Sequence, residues 1–293
     1  MISIIVCSRN PQFLKNLSEN IARTVGVPYE LIPIDNSLNQ FGICKAYHMG
    51  GDQARYDILC FMHEDISFET NSWGIIVADM LKNKSTGILG IAGGDTKSLV
   101  PSSWSVPARS CEVNIIQHRK NGNPEKERIS ITMPGAENDY KEVCILDGVW
   151  LCTRKDIFEE YRFDEINFPG FHGYDIDYSL QTSRKYKAYV LFNIQIEHFS
   201  EGNPNKEWVK SAISVSEKWR SQLPASIYPL ERSEFALHHW KTIRNFMEHL
   251  IRLEYSANII IKYFLTYSFN RYFSLRRFLS IGKFILIELK RKK

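Results

Sequence analysis

Ile2-Ser3-Ile4-Ile5-Val6-Cys7-Ser8-Arg9-Asn10-Pro11 is the stretch whose reading decides the fold. Residues 2–7 are almost wholly apolar, as expected of a strand covered on both faces. Asn10-Pro11 then supplies a helix cap followed by a proline in the first turn. Phe13, Leu14, Leu17 and Ile21 give the helix behind it one apolar stripe. The alternation continues outward. A second strand is expected over 30–34, ending at Asp35-Asn36, then a helix near 43–55. A strand over 57–61 runs into the polar tip His63-Glu64-Asp65, Asn71 caps a helix to about 81, and 87–92 is a further strand. Strands alternating with helices predict parallel α/β units.

The 293 residues are 44% hydrophobic, 13% aromatic and 24% charged, which sets aside disordered, collagen-like and disulfide-scaffold classes. Six cysteines are scattered without a C-x-x-C pair, so reduced, buried thiols are expected rather than a zinc site or a disulfide framework. No apolar run reaches the roughly 18 residues of a membrane span. The first apolar stretch is too short for a secretion signal, so a cytoplasmic protein is expected. The net charge of +4 is split. From Lys241 onward there are 12 Lys and Arg against three acids, or +9, which leaves −5 on the first 240 residues.

Residues 93–141 mix Gly-Gly, Pro, Ser and charges around one alternating run, 111–118, and are expected to form a hairpin and long loops. Strand signal returns over 143–151 and 188–196, the latter ending at His198. Helices are expected from about 155, from 173 or 174, and over 206–220. After Pro229 the pattern is helical almost throughout. Ligands of open α/β sheets bind beyond the carboxyl ends of the strands. Ser8-Arg9, Asp35-Asn36, His63-Glu64-Asp65 and His198 all stand there.

In that order these segments resemble the nucleotide-sugar-dependent glycosyltransferases of family 2, with their GT-A fold. Residues 2–10 resemble the opening strand, Asp35-Asn36 the acidic end of the second strand, and 41–50 the small-residue helix. Ile58-Leu59-Cys60-Phe61-Met62-His63-Glu64-Asp65-Ile66 takes the place of the strand that enters the D-x-D motif, with His63 replacing its first aspartate. Phe171-His172-Gly173-Tyr174-Asp175-Ile176-Asp177 resembles the E-D motif, with Tyr174 for its glutamate. Leu146-Asp147-Gly148-Val149-Trp150 resembles the acceptor-side segment, and Ile196-Glu197-His198-Phe199 the closing strand. The resemblance spans roughly residues 1–202.

It implies an α/β GT-A domain over 1–229, a Rossmann-like mixed sheet flanked by helices, with a nucleotide-sugar half near 1–92 and an acceptor half near 143–229, followed by a C-terminal helical extension. It also implies transfer of a sugar from a UDP- or GDP-sugar to a glycan or lipid-linked acceptor, in the making of a surface glycan. Asp65 and His198 would hold manganese or magnesium, with His63 as third ligand or as a contact to ribose or phosphate. A cation there would neutralise the departing diphosphate, and carboxylate with imidazole suits manganese. Asp175 would be the base of an inverting transfer, and Asp177, about 200° round the helix, would not share that role. Ser8, Arg9, Asp35, Asn36, Lys45, His63 and Glu64 would face the nucleotide sugar, and Asp147, Gly148 and Trp150 the acceptor. Arg9, Lys45 and Glu64 equally read as surface or turn charges, and Trp104 either shields the sugar or packs.

Two other classes stay open on the residues alone. One is a metal-dependent hydrolase using His63, Asp65, His172 and His198. The other is a non-catalytic nucleotide- or sugar-binding descendant. A dinucleotide oxidoreductase is disfavoured, since Ser8-Arg9-Asn10-Pro11-Gln12-Phe13 holds no G-x-G-x-x-G. Residues 230–293, basic and rich in aromatics, read either as an amphipathic extension on an anionic membrane surface or as helices packed on the catalytic domain. No nucleic-acid partner is expected.

Overall fold

The computed structural model describes residues 1–105, 111–119, 127–132, 138–202 and 204–291. The first elements are β1 (Ile2–Ser8), α1 (Pro11–Thr24), β2 (Tyr29–Asp35), α2 (Ile43–Gln53), β3 (Ile58–Met62), β4 (Ile66–Phe68) and α3 (Trp73–Lys82). Short strands follow: β5 (Thr86–Gly90), β6 (Ala92–Gly94), β7 (Thr96–Lys97), β8 (Cys111–Arg119), β9 (Glu127–Thr132), β10 (Tyr140–Val143), β11 (Ile145–Leu146) and β12 (Trp150–Arg154). Then come α4 (Lys155–Glu160), α5 (Tyr174–Thr182), β13 (Lys187–Leu191), β14 (Ile196–His198), α6 (Lys206–Lys218) and β15 (Ala225–Ser226). Helices α7 (Arg232–Arg252), α8 (Ala257–Ser268) and α9 (Leu275–Arg291) close the chain.

Seven strands form the main sheet in the order β10-β13-β5-β12-β3-β1-β2. Strand β1 is parallel to both β2 and β3, and every one of its residues is buried, as its apolar run requires. The sheet is mixed, as the resemblance implies, because β12 runs antiparallel to β3. A second sheet, β11-β6-β8-β14-β4 with β9 beside β8, stands next to it. The alternating run 111–118 is the inner strand of that sheet, paired antiparallel with β9. The long loops expected around it fall largely on 106–110, 120–126 and 133–137, outside the described residues.

Three expectations are corrected. The strand over 143–151 is broken into β10, β11 and β12: the chain crosses to the second sheet after Val143 and returns to the first at Asp147-Gly148. Helix α3 starts after Ser72, not Asn71. Cys60 and Cys152, directly opposed in the β3–β12 ladder and fully buried, are joined as a disulfide, so the thiols are not uniformly reduced. Asn10 caps α1 as expected, its side chain accepting from the backbone N–H of Gln12 and Phe13.

Helices α7, α8 and α9 build an apolar cluster of their own around Trp240, Phe246, Met247 and Ile260, which Val100 and Val209 of the preceding chain enter. No helix among the described residues is long and apolar enough to cross a membrane.

Candidate active site

His63 follows directly on β3, and its backbone N–H donates to the Val149 carbonyl at 3.0 Å. Strand β14 brings the next two groups together by register. His198 is paired with Ile66, the neighbour of Asp65, on one side and with Gln117 of β8 on the other. As a result one ligand atom each from His63, Asp65 and His198 lie within 4.8 Å of one another. The Asp65 carboxylate and His198 Nε2 are 3.6 Å apart, each side chain only 12–13% exposed.

The hydrogen bonds fix which atoms these groups present. Gln117 Oε1 can only accept, so His198 donates to it from Nδ1 at 3.1 Å and turns Nε2 toward Asp65. The Gln117 amide nitrogen donates to the Ser200 carbonyl at 2.6 Å, which sets the orientation of the carboxamide. Tyr174 Oη donates its one proton to the Gly148 carbonyl at 2.8 Å and therefore accepts from His63 Nε2 at 3.2 Å. That leaves His63 Nδ1 with a lone pair. The facing His198 Nε2 and Asp65 carboxylate, 3.6 Å apart, are satisfied either by a proton shared between them or by a cation, with Ser200 Oγ standing 3.3 Å from Nε2. Two imidazoles and one carboxylate form a set that can hold a divalent metal ion.

The pull of a proton-bearing His198 shows in both of its neighbours. Burial, then the neighbouring His198, pushes the His63 imidazole down, which keeps it neutral and able to ligate. Burial raises the Asp65 carboxyl, but the hydrogen bond and charge of His198, with Ser200 and His63, outweigh it and hold Asp65 well below the usual carboxylate range.

Across the Asp147–Val149 turn stands Asp175, in the first turn of α5. Its Oδ2 accepts from the Gly148 N–H at 3.1 Å. Burial, then the neighbouring Asp147, lifts its carboxyl to about 7. Gly148 has no room for a side chain, since a Cβ would lie 2.1 Å from Tyr174 Oη. One compact turn therefore touches both the His-Asp-His group and Asp175. Asp177 points elsewhere, as its helical angle dictates. It is buried on Lys218 at 2.7 Å and on the Trp219 indole N–H at 2.7 Å.

Other expected contacts are reassigned. Glu64 turns back to accept from Ser8 Oγ at 2.8 Å and from the N–H groups of Arg9 and Asn10, so Ser8 and Glu64 brace each other at the start of α1. Asn36 is fully buried, with both ends of its amide on the backbone of Phe41. Trp150 is core, not acceptor wall: it is fully buried edge-on to Phe68 and Trp73. Trp104 is partly buried and packs against both of the apolar clusters that share the residues of β1. Asp35, Arg9 and Lys45 are exposed, with Arg9 over the Phe171 ring and Lys45 over that of Phe41. His172 is not among the three convergent groups.

Gln117 was not singled out by its sequence, since it is one polar residue in an alternating strand. Lys97 also escaped notice. It is fully buried, donates to Ser102 O and Oγ at 2.8 and 2.6 Å, and is pushed down to about 7 by burial.

Residues 3–222 match the family described as Glycosyltransferase like family. The chain belongs to that family. Streptomycin biosynthesis protein StrF of Streptomyces griseus is 26% identical over 189 residues, 60% of each chain, so this chain spans about 60% of that relative's length. Among solved structures, GalNAc-T7 with UDP, GalNAc and Mn2+ superposes with a TM-score of 0.51 at 11% identity, over 96% of this chain and 56% of that one. The shared fold is GT-A. A197 from STIV matches at a TM-score of 0.37 and 14% identity, over 68% of this chain and 86% of that one.

Proposed function

We propose that this chain transfers a sugar from a UDP- or GDP-sugar to a hydroxyl of a glycan or lipid-linked acceptor, with inversion and with Asp175 as base. The observation that carries the reading is the single turn, Asp147 to Val149, with a cation-ready triad on one side and a carboxyl raised to about 7 on the other. His63 through Nδ1, Asp65, and His198 through Nε2 would hold manganese or magnesium. When bound, such a cation offsets negative charge on a departing diphosphate. The name of GalNAc-T7's structure, with UDP and Mn2+, supports the same pairing of donor and cation here.

The chain's own groups do the rest. The Gly148 N–H holds the Asp175 carboxylate in place, and Asp175 takes the acceptor's proton as its oxygen attacks. Asp35, at the end of β2, and the exposed cations Arg9 and Lys45 would meet the nucleoside and phosphates. Asp147 would lie on the acceptor side. The surface-glycan role expected from the sequence belongs to the same reading. Incubation with a panel of UDP- and GDP-sugars and Mn2+ tests it: UDP or GDP should be released with one of them, faster with acceptor extract. No release from any of them would sink the reading.

A further inference from the structure

We infer that the outer face of α8 and α9 docks on an anionic phospholipid bilayer, lying in its surface without crossing it. This goes beyond the transferase reading and does not depend on it. Residues 257–293 carry nine Lys and Arg against one acid, Glu288. Against the chain's +4, this +8 leaves −4 on everything before them.

The apolar side chains of these helices fall into two sets. Ile260, Phe264, Ile281 and Ile285 face inward and are buried. Leu265, Phe269, Phe273, Leu275, Leu279 and Leu286 face out, at 41, 61, 44, 61, 60 and 60% exposure. Phe269 and Phe273 stack at 5.3 Å and extend the exposed patch from α8 to the start of α9. At 3.6 residues per turn, Leu275, Leu279 and Leu286 form one stripe of α9. Arg276, Lys283 and Lys290, seven residues apart and all exposed, form the row beside it. None of these three cations has a carboxylate partner among the described residues. An apolar stripe bordered by unpaired cations is the pattern of a helix in a membrane interface.

A cleft of about 620 Å³ opens at the same end, lined by Arg232, Arg271, Arg277, Ser233, Ser274 and Phe273. Arg232 donates to the Arg271 carbonyl at 2.7 Å and Arg277 to the Ala236 carbonyl at 2.8 Å, which presets two guanidinium groups while leaving most of their donors for a ligand. The cleft's carboxylate, Glu231, is committed to the capping box of α7. Guanidinium forks match phosphate oxygens. The cleft therefore seats a lipid phosphate while Phe269 and Phe273 reach the acyl boundary.

The test is co-sedimentation of the full chain with phosphatidylcholine vesicles and with vesicles rich in phosphatidylglycerol, at low and high salt. Binding should require phosphatidylglycerol and fall with salt. The triple variant Arg276→Gln, Lys283→Gln, Lys290→Gln should lose on the order of a hundredfold in partition coefficient. The double variant Phe269→Ser, Phe273→Ser should also bind more weakly while still unfolding cooperatively, since both rings lie on the outer face and lose only their contacts with each other and with Phe278. Equal recovery with both vesicle types, or no recovery with either, overturns the proposal. So does a homodimer in sedimentation that the phenylalanine variant dissolves, since a second copy would then be the occupant.

Discussion

Asp175 and Gln117 differ in what they should do when changed. A carboxyl lifted to about 7 by burial is protonated, and useless as a base, below that pH. The transfer rate should therefore rise with pH through about 7 and level off above it. Asp175→Asn should keep donor binding but lose about 10²–10⁴ in kcat, together with the rising limb. If the variant keeps that limb, the titrating group lies elsewhere. Gln117 acts on His198, not on substrate. Gln117→Leu should lower Mn2+ affinity about 10–100-fold by freeing the ring, with little change in thermal stability. A titration showing unchanged affinity would remove Gln117 from the site. The placement of Asp65, His198 and Asp175 at strand or helix ends was legible in the sequence, and Asp65 and His198 do converge with His63. Gln117 was not legible, because only the β8–β14 register puts it beside His198.

At the scale of elements, the apolar run of β1 and the Asn10-Pro11 cap were legible because each is a local effect. What the sequence hid was the sheet exchange. Residues 143–151 carry one continuous strand signal, yet the turn at Asp147-Gly148 divides them between two sheets and creates the contact with Asp175. Periodicity cannot report where a chain leaves one sheet for another. The same division explains the burial of Trp150, which follows Asp147-Gly148 closely in sequence but points into the core. Trp150→Phe should cost about 0.5–3 kcal/mol in urea unfolding by leaving a void, without altering the acceptor KM. A raised KM with unchanged stability would restore Trp150 to the acceptor wall.

Over the whole molecule, charge and fold divide alike. The family match ends at residue 222, and the basic segment begins beyond it, with α7 buried against the domain and α8 and α9 keeping an outer face. Of residues 230–293, one face packs in the apolar cluster and the other is open, which is the face assigned above to a lipid surface. The catalytic claim rests on the three ligand atoms gathered at the ends of β3 and β14. The most direct test is calorimetric titration of UDP and of GDP into the full chain, in Mn2+ and in EDTA. One of the two nucleotides should bind far more tightly in Mn2+, and Asp65→Asn should erase that difference. Equal affinity with and without the metal, or a metal-dependent gain that survives in Asp65→Asn, would contradict the account.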